Sequence, residues 1–349
     1  MEEYSLVCFQ TSINFVATTN DLARAASIKS ENIKKAQDMI DTAYGGMSGA
    51  LNIRDAKVLL FPEFFVAGFP IKESAKEWMA KGCVELPGEE SDRLAAKAKQ
   101  YSCYICGNSY EVSEEWPGRY FNTTFIIDPS GKIALKYRKI NTFLATSPHD
   151  ILDEYVKKYG PKSLFPVLET PYGTLGCLTC YDVNFPEVSR CLAMNGAEIL
   201  LHPTGEPVSL ARQRECKKIR AYENTVYFAS ANHSLCDIRA LSGRSLGASE
   251  VIDFNGGQVA VAYDNHDCIV SGRVDVDRLR KARKGSDSYS ARFMTEFRAE
   301  VYAPYYKNEF WPANSFSKKA MESLSEQSAI RRRTQERLSK SGLYKSNQN

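Results

Sequence analysis

Strand-like and helix-like segments alternate along most of this 349-residue chain. A run that alternates like a β-strand at residues 5–10 is followed by a helical pattern at 32–44 and a short apolar strand at 57–62. The same order returns in the second half, with a strand at 197–202 and a helix at 210–224. Alternating strands and helices favour layered packing, so we predict an α/β sandwich and not segregated α and β regions.

Each half also contains a predicted β-hairpin, at residues 122–137 and at 249–263. No Pro/Gly/Ser-rich linker divides the chain, and the two halves have a similar layout. We therefore predict one pseudo-symmetric domain over residues 1–313. Residues 314–349 form a polar, basic C-terminal extension, which is predicted to be a loose helix or an arm laid on a neighbouring subunit.

Composition limits the partners that this chain can have. Its hydrophobic content of 43% and charged content of 25% are typical of a globular protein with a sizeable core. The net charge of +3 comes from the C-terminal extension, where eight Lys and Arg stand against three Glu after residue 316, so the domain has no basic surplus for nucleic acid. No apolar run approaches the ~20 residues of a membrane span, and the Met-Glu-Glu start does not resemble a signal peptide. We expect a cytoplasmic protein without nucleic-acid or membrane partners.

The ten cysteines are too sparse for a disulfide scaffold, and we expect reduced thiols. Two Cys-x-x-Cys pairs, Cys103/Cys106 and Cys177/Cys180, lie in strand-like runs. Residues three apart on a strand point to opposite faces, so neither pair is placed to chelate one zinc ion. We predict no metal cofactor.

Cys180 stands where an apolar, strand-like run changes into a polar turn. A thiol at such a point stays near the core and still faces a cleft, although most free cysteines are simply small buried hydrophobes. Two further strand ends carry reactive groups: Glu63 among aromatic residues and Lys139 after an apolar run. Taken singly, a glutamate beside aromatic residues usually lies at the rim of a core, and a lysine in a basic run usually lies on a solvated face.

Together with their surroundings, the three residues resemble the nitrilase superfamily of carbon–nitrogen hydrolases. The matching segments run in the family's order from about residue 4 to about residue 275, and they are 61–64, 136–139, 176–187, 220–224, 231–232 and 243–245. The resemblance implies a four-layer α-β-β-α sandwich, a homodimer or a higher homo-oligomer, and chemistry without a metal or organic cofactor.

By this resemblance, Glu63, Lys139 and Cys180 are the catalytic residues. The family also has a second glutamate between the lysine and the cysteine. Glu154 is the best match, because it precedes a Tyr-Gly pair at 159–160, and Asp150 and Asp153 remain alternatives.

The chemistry implied is cysteine-dependent hydrolysis of a small carboxamide to a carboxylic acid and ammonia. A carboxamide is a poor electrophile, so the attacking sulfur has to be a thiolate, and the intermediate is a thioester. Tyr-Asp after the cysteine resembles the amidase and carbamoylase branches, which leaves a nitrilase or an N-carbamoyl amidohydrolase as alternatives. An acyl transferase and a catalytically silent scaffold also remain open.

The substrate pocket is expected to form around the predicted nucleophile. His202 follows a strand and is equally typical of a hydrogen-bonded turn histidine. The predicted substrate-binding residues are Phe64, Tyr181, Asn184, His202, Thr204 and Glu206.

Overall fold

The structure, a computed structural model, describes residues 2–45, 52–143, 145–206, 211–234, 247–285, 292–307 and 310–344. The family-like segment at 243–245 lies outside these ranges. The strands are β1 Tyr4–Gln10, β2 Ala56–Leu60, β3 Tyr104–Val112, β4 Tyr120–Ile127, β5 Ile133–Arg138, β6 Val167–Leu168, β7 Leu175–Cys177, β8 Ile199–Pro203, β9 Tyr227–Ala231, β10 Glu250–Ile252, β11 Gln258–Val261 and β12 Cys268–Val274. The helices are α1 Leu22–Ala43, α2 Ala75–Lys81, α3 Glu89–Tyr101, α4 Leu152–Tyr159, α5 Pro186–Met194, α6 Ala211–Asn224, α7 Val276–Lys284, α8 Arg292–Thr295, α9 Ala299–Tyr302 and α10 Leu324–Lys340.

The strands form two six-stranded sheets with the same pairing pattern. The first sheet has the order β12-β1-β2-β3-β4-β5, and the second has the order β6-β7-β8-β9-β10-β11. In each sheet the second, third and fourth strands pair in parallel, and the remaining neighbours pair antiparallel. This repetition confirms the pseudo-symmetry predicted from the two similar halves, and both predicted hairpins are present as β4–β5 and β10–β11.

Alternating side chains of the central strands explain the layers. On β2, Val58 and Leu60 face the core between the two sheets, whereas Leu59 faces α1 and α3. On β8, Ile199 faces the same inter-sheet core and Leu200 faces α5 and α6. A strand buried on both faces needs an apolar side chain at every position, as parallel strands under helices do. The four-layer α-β-β-α sandwich expected from the sequence is confirmed.

Helix and strand ends differ from the predicted ones by a few residues. α1 begins ten residues before its predicted start, because Asp21 caps it and Ala25 and Ile28 add a buried turn. The opposite orientation predicted for one cysteine pair is confirmed, since Cys103 lies in the outer core beneath α1 and α3, and Cys106 lies in the inter-sheet core.

The C-terminal residues contact the body of their own chain. The backbone N–H groups of Asn314 and Phe316 donate to the carbonyls of His149 and Asp150, at 3.0 and 3.1 Å. Gln327 on α10 donates to the Thr142 carbonyl at 2.9 Å. The division into a domain 1–313 and an extension that reaches a partner subunit stays a prediction.

Two global features bear on ligands. No helix in the described part of the chain is long and apolar enough to cross a bilayer. Among the described residues, no group of three or more His, Cys, Asp and Glu side chains is arranged to hold a metal ion.

A buried ion pair holds the end of β5, directly before Lys139. Arg138 donates two hydrogen bonds of 2.9 Å to the carboxylate of Glu111 on β3, and its guanidinium lies 4.3 Å above the ring of Phe121. Thr123 donates to the same carboxylate at 2.7 Å. Burial works against ionisation of Glu111, but Arg138 holds the pKa of that carboxyl below its usual value. The pair therefore ties β3, β4 and β5 together at the strand end that carries Lys139.

We expect Arg138→Met to lower the free energy of unfolding by about 3–5 kcal/mol, because it leaves the Glu111 carboxylate buried without its main partner. Lys132→Met, at an exposed position of the same hairpin, should change the free energy of unfolding by less than about 0.5 kcal/mol. Urea unfolding of both variants measures the difference, and an equal stability of the two would show that the ion pair is unimportant.

Candidate active site

Glu63, Lys139 and Cys180 follow the carboxyl ends of β2, β5 and β7, and the structure brings them to one place. Lys139 Nζ donates to Glu63 Oε1 at 2.8 Å, and both side chains are buried. The Cys180 thiol, on a partly exposed residue, lies within electrostatic range of both. The two sheets also touch here, because the Glu63 N–H faces the Thr204 carbonyl, just after β8, at 3.4 Å.

Hydrogen bonds orient the Glu63 carboxylate. Asn122 on β4 donates its side-chain N–H to Glu63 Oε1 at 2.8 Å, beside Lys139. The Asn122 carbonyl oxygen accepts from Asn108 at 2.8 Å, so the amide of Asn122 has one orientation. Among the described residues, Glu63 Oε2 is buried and has no hydrogen-bond partner. One oxygen of the carboxylate is therefore held, and the other is available for a proton.

The hydrogen-bond network continues to the segment before the thiol. Asn108 also donates to the Thr124 hydroxyl at 3.0 Å, and Thr124 and Thr179 share a hydroxyl–hydroxyl bond of 2.8 Å. Because Thr179 directly precedes Cys180, this network links the carboxylate of one sheet to the thiol of the other.

Charges around the thiol act in opposite directions. Burial and then the Glu63 carboxylate raise the pKa of the Cys180 thiol, whereas Lys139 and the Thr204 hydroxyl lower it. Burial by itself would lower the pKa of the Lys139 ammonium, but Glu63 holds that pKa above its usual value. Lys139 is therefore a permanent cation, and the thiol keeps its proton until a base accepts it.

Cys180 begins a short 3-10 helix, Cys180–Asn184, with a backbone φ of 46°. A residue other than glycine in this left-handed region is strained, and surrounding contacts have to hold it. His202 Nε2 lies 3.0 Å from the Cys180 carbonyl, and His202 Nδ1 lies 2.9 Å from the Ser230 hydroxyl. Burial and the nearby Lys217 lower the pKa of His202 well below its usual value, so the ring is neutral. A carbonyl can only accept, so His202 Nε2 carries the hydrogen and donates it to Cys180.

A second histidine holds the backbone that carries Glu63. His233 Nε2 contacts the Glu63 carbonyl, and its Nδ1 lies 3.2 Å from the carbonyl of Thr11. Phe64, the next residue, has a φ of 62°, and its N–H donates to Asn108 at 2.9 Å. The turns at Glu63 and at Cys180 are thus each held by a histidine that contacts a backbone carbonyl.

Besides Glu63, the acidic residue whose charge acts on Lys139 is Asp182, and the catalytic role expected of Glu154 stays a prediction. Glu154 lies exposed on α4, because this helix buries Tyr155 and turns the preceding side chain to solvent. Asp182 is buried and accepts hydrogen bonds from Tyr137 at 2.8 Å and from the Asn141 N–H at 2.9 Å. Burial raises the pKa of the Asp182 carboxyl, although Lys139 and the hydrogen bonds to Asp182 act against this rise. The charge of Asp182 adds to that of Glu63 in raising the pKa of Lys139.

The two alternatives to Glu154 lie at or just before the start of α4, and Asp150 lines a cavity that Tyr181 also lines. Asp150 is buried in the turn before α4, where it accepts from the Ser147 N–H at 2.9 Å, and burial raises the pKa of Asp150 to about 6. Asp153 is exposed, and its N–H donates to Asn314 at 3.0 Å. Both residues hold the turn and the C-terminal segment together.

Of the predicted pocket residues, two present aromatic rings, and three contact the turn at Cys180. Phe64 stacks on Tyr110 with ring centroids 5.3 Å apart, and Tyr181 is 40% exposed beside Phe143. Asn184 instead donates to the Tyr181 carbonyl at 2.9 Å and so stabilises the turn after Cys180. His202 and Thr204 are buried, and they act on the carbonyl and on the thiol of Cys180, respectively.

Glu206 belongs to a buried cluster that the sequence did not indicate. It pairs with Lys217 on α6, and Lys217 Nζ also lies 3.7 Å from Glu250 Oε1 on β10. Burial alone would lower the pKa of Lys217, but Glu206 and Glu250 hold it above its usual value. All three side chains are buried, so two carboxylates share one cation close to Cys180.

Sequence reasoning missed the polar residues that support the reactive ones. A signal exists for some of them, because Asn108 and Asn122 interrupt strands that are otherwise suited to burial, and Asp182 lies in the family-like segment after Cys180. Lys217 gives no such signal, since it stands in a run of charged residues on a helix whose solvent face is basic.

Comparisons with known proteins agree with this fold. The sequence profile of the family described as Carbon-nitrogen hydrolase matches residues 17–284. Omega-amidase NIT2 of Homo sapiens is 29% identical over 261 residues, which cover 74% of this chain and 88% of that protein. The omega-amidase NIT2 of Mus musculus is 27% identical over 263 residues, covering 75% and 89%.

Solved structures share the fold at lower identity. A carbon–nitrogen hydrolase from Helicobacter pylori superposes with a TM-score of 0.67 at 18% identity, covering 88% of this chain and 99% of that one. An amidase from Nesterenkonia sp. superposes with a TM-score of 0.60 at 20% identity, covering 86% and 96%.

We expect Lys217→Met to lower the free energy of unfolding by about 3–5 kcal/mol, because Glu206 and Glu250 lose their shared cation inside the protein. Lys218→Met on the same helix removes only a partly exposed partner of Glu215 and should cost about 1 kcal/mol or less. Chemical denaturation compares the two, and adding Glu206→Gln to Lys217→Met should recover part of the loss. The cluster has no structural importance if both lysine variants unfold alike.

Proposed function

The chain belongs to the carbon–nitrogen hydrolase family of the nitrilase superfamily and is a hydrolase of carbon–nitrogen bonds other than peptide bonds, and we propose that it is a cysteine-dependent amidase. In this proposal it converts a small-molecule carboxamide into a carboxylic acid and ammonia through a thioester on Cys180. Glu63 is the base and acid, and Lys139 stabilises negative charge.

The observation that carries the proposal is the state of the Glu63 carboxylate. Lys139 and Asn122 both donate to its Oε1, and its buried Oε2 has no partner among the described residues. A carboxylate held this way, within electrostatic range of a thiol, is suited to receive the thiol proton.

In the first half of the reaction, Glu63 takes the proton of the Cys180 thiol while the sulfur attacks the amide carbon. The carbonyl oxygen becomes an oxyanion in a tetrahedral intermediate. In this proposal the Lys139 ammonium and the backbone N–H of Tyr181 stabilise that charge, and one such donor is worth about 3 kcal/mol. The raised pKa of Lys139 supports this assignment, because the ammonium keeps its proton throughout.

In the second half, protonated Glu63 gives its proton to the departing nitrogen. The carbon–nitrogen bond breaks, ammonia leaves, and a thioester to Cys180 remains. A water molecule loses a proton to Glu63 and attacks the thioester, which releases the carboxylic acid and restores the thiol. Each proton that Glu63 accepts is returned in the next step, so no other acid or base is needed.

Other reactions of the same thiol are distinguished by the substrate that is consumed, since a nitrile gives the same acid and ammonia as an amide, or by their products. A nitrile or an N-carbamoyl compound would also release ammonia, and the latter would release carbon dioxide as well. An acyl transferase would pass the acyl group of the thioester to an added amine and release the thiol. A silent scaffold would form no thioester. Homo-oligomeric assembly and a cytoplasmic location stay predictions.

We expect Cys180→Ala to abolish ammonia release from butyramide, and iodoacetamide to alkylate Cys180 of the unsubstituted protein faster than its other thiols. The buried thiols are protected by the core, and burial raises the pKa of Cys83, for example, above the usual range. Cys216→Ala, at another partly exposed cysteine, is the matched control and should keep full activity. Undiminished ammonia release by Cys180→Ala would refute the thiol mechanism.

We expect His202→Asn to lower kcat for butyramide about a hundredfold with a smaller change in KM, because the Cys180 carbonyl loses the donor that holds the strained turn. Ser230→Ala removes only the hydrogen bond to the far side of the imidazole, so its loss of kcat should be smaller. Steady-state kinetics on variants with unchanged thermal melting separate the two. An unchanged kcat in His202→Asn would rule out a positioning role for this residue.

A further inference from the structure

A cavity of about 620 Å³ lies beside the turn that carries Cys180. One wall is formed by the segment after β5 and by the turn after the thiol, and the other wall is formed by the C-terminal residues, including α10. The apolar side chains of its lining include Phe143, Tyr181, Phe185, Trp311 and Leu338. A volume of 300–1,000 Å³ is typical of pockets for ligands larger than a simple amide.

The first wall presents a row of aromatic rings. The Tyr181 ring lies 5.4 Å from that of Phe143 and 5.6 Å from that of Phe185, measured between ring centroids. All three rings are at least one-third exposed. A contiguous row of exposed aromatic residues is typical of a binding surface. Tyr181 is the middle ring of the row and directly follows the predicted nucleophile, Cys180, in the chain.

The second wall is attached to the body of the same chain. Gln327 on α10 donates to the Thr142 carbonyl next to Phe143. Arg119 donates to the carbonyls of Phe316 and Ser317, at 2.7 and 3.1 Å, at the base of the segment that leads to α10. These hydrogen bonds to backbone carbonyls attach the C-terminal segment to the body. Trp311 and Leu338 of this segment line the same cavity as the aromatic row.

We propose that this cavity binds the acyl part of the substrate, and that the substrate is a primary carboxamide whose acyl chain ends in an aromatic ring. This inference rests on the proposed function. Since the group that leaves is ammonia, any large part of the substrate has to lie on the acyl side of the reacting bond. An aryl group between Phe185 and Leu338 gains apolar contact on both faces, which a short aliphatic amide does not reach.

The test compares butyramide with a series of phenylalkanamides, from phenylpropanamide to phenyloctanamide, by ammonia release. We expect kcat/KM to rise about tenfold or more above that for butyramide at the chain length that brings the phenyl ring to the aromatic row. Leu338→Trp fills the cavity and should reduce this preference about tenfold. Phe185→Ala removes the facing ring from the opposite wall and should reduce it as well, independently of α10.

Glu336→Ala is the matched control, because Glu336 lies on α10 in a different, solvent-facing depression, and it should keep the preference unchanged. A second measurement is calorimetric binding of the best phenylalkanamide to Cys180→Ala, with and without Leu338→Trp. Equal kcat/KM for all amides, with no effect of Leu338→Trp or Phe185→Ala, would overturn the inference and leave the proposed amidase intact. Tight binding that Leu338→Trp weakens, without ammonia release from any amide, would refute the amidase and uphold the cavity.

Discussion

The buried ion pair between Glu63 and Lys139 is the interaction on which the site depends. Two charges inside a protein cost several kcal/mol each unless they are paired and hydrogen-bonded. Here Asn122 supplies a further donor to Glu63, and Asn108 fixes the orientation of Asn122. The charges can be paired in this way only when β2, β4 and β5 are in register at the ends that carry these residues. The geometry of the site therefore requires correct strand pairing in the first sheet.

The pseudo-symmetry of the sandwich explains why the thiol reaches that pair. β2 and β8 hold equivalent places in the two sheets, and the turns after them meet where the Glu63 N–H faces the Thr204 carbonyl. The hydrogen bond between the hydroxyl groups of Thr124 and Thr179 also joins the two sheets. The carboxylate and ammonium therefore come from one half of the chain and the thiol from the other. Neither half could assemble the site alone.

The surroundings of the thiol hold more charge than the three reactive groups require. The charge of Asp182 acts on Lys139, and the Glu206–Lys217–Glu250 cluster acts on Cys180 through Glu206. Burial, together with Lys217, keeps His202 neutral, and the Cys180 carbonyl sets which ring nitrogen carries the hydrogen. Beyond the turn, the C-terminal segment and an aromatic row centred on Tyr181 line one cavity.

The sequence by itself determined the alternation of strands and helices, the layered sandwich and which three residues meet at the candidate site, because hydrophobic periodicity and family-like segments are local properties of the chain. It did not indicate that Glu154 lies exposed, since the exposed face of a short helix follows from the packing of Tyr155. Only the tertiary structure decided that Asn108, Asn122 and Asp182 serve the site, and that Lys217 is buried within a basic helix. Such contacts join residues far apart in the chain, for instance Glu63 and Asn122, 59 positions apart, and no local pattern records which distant groups will meet when two sheets pack.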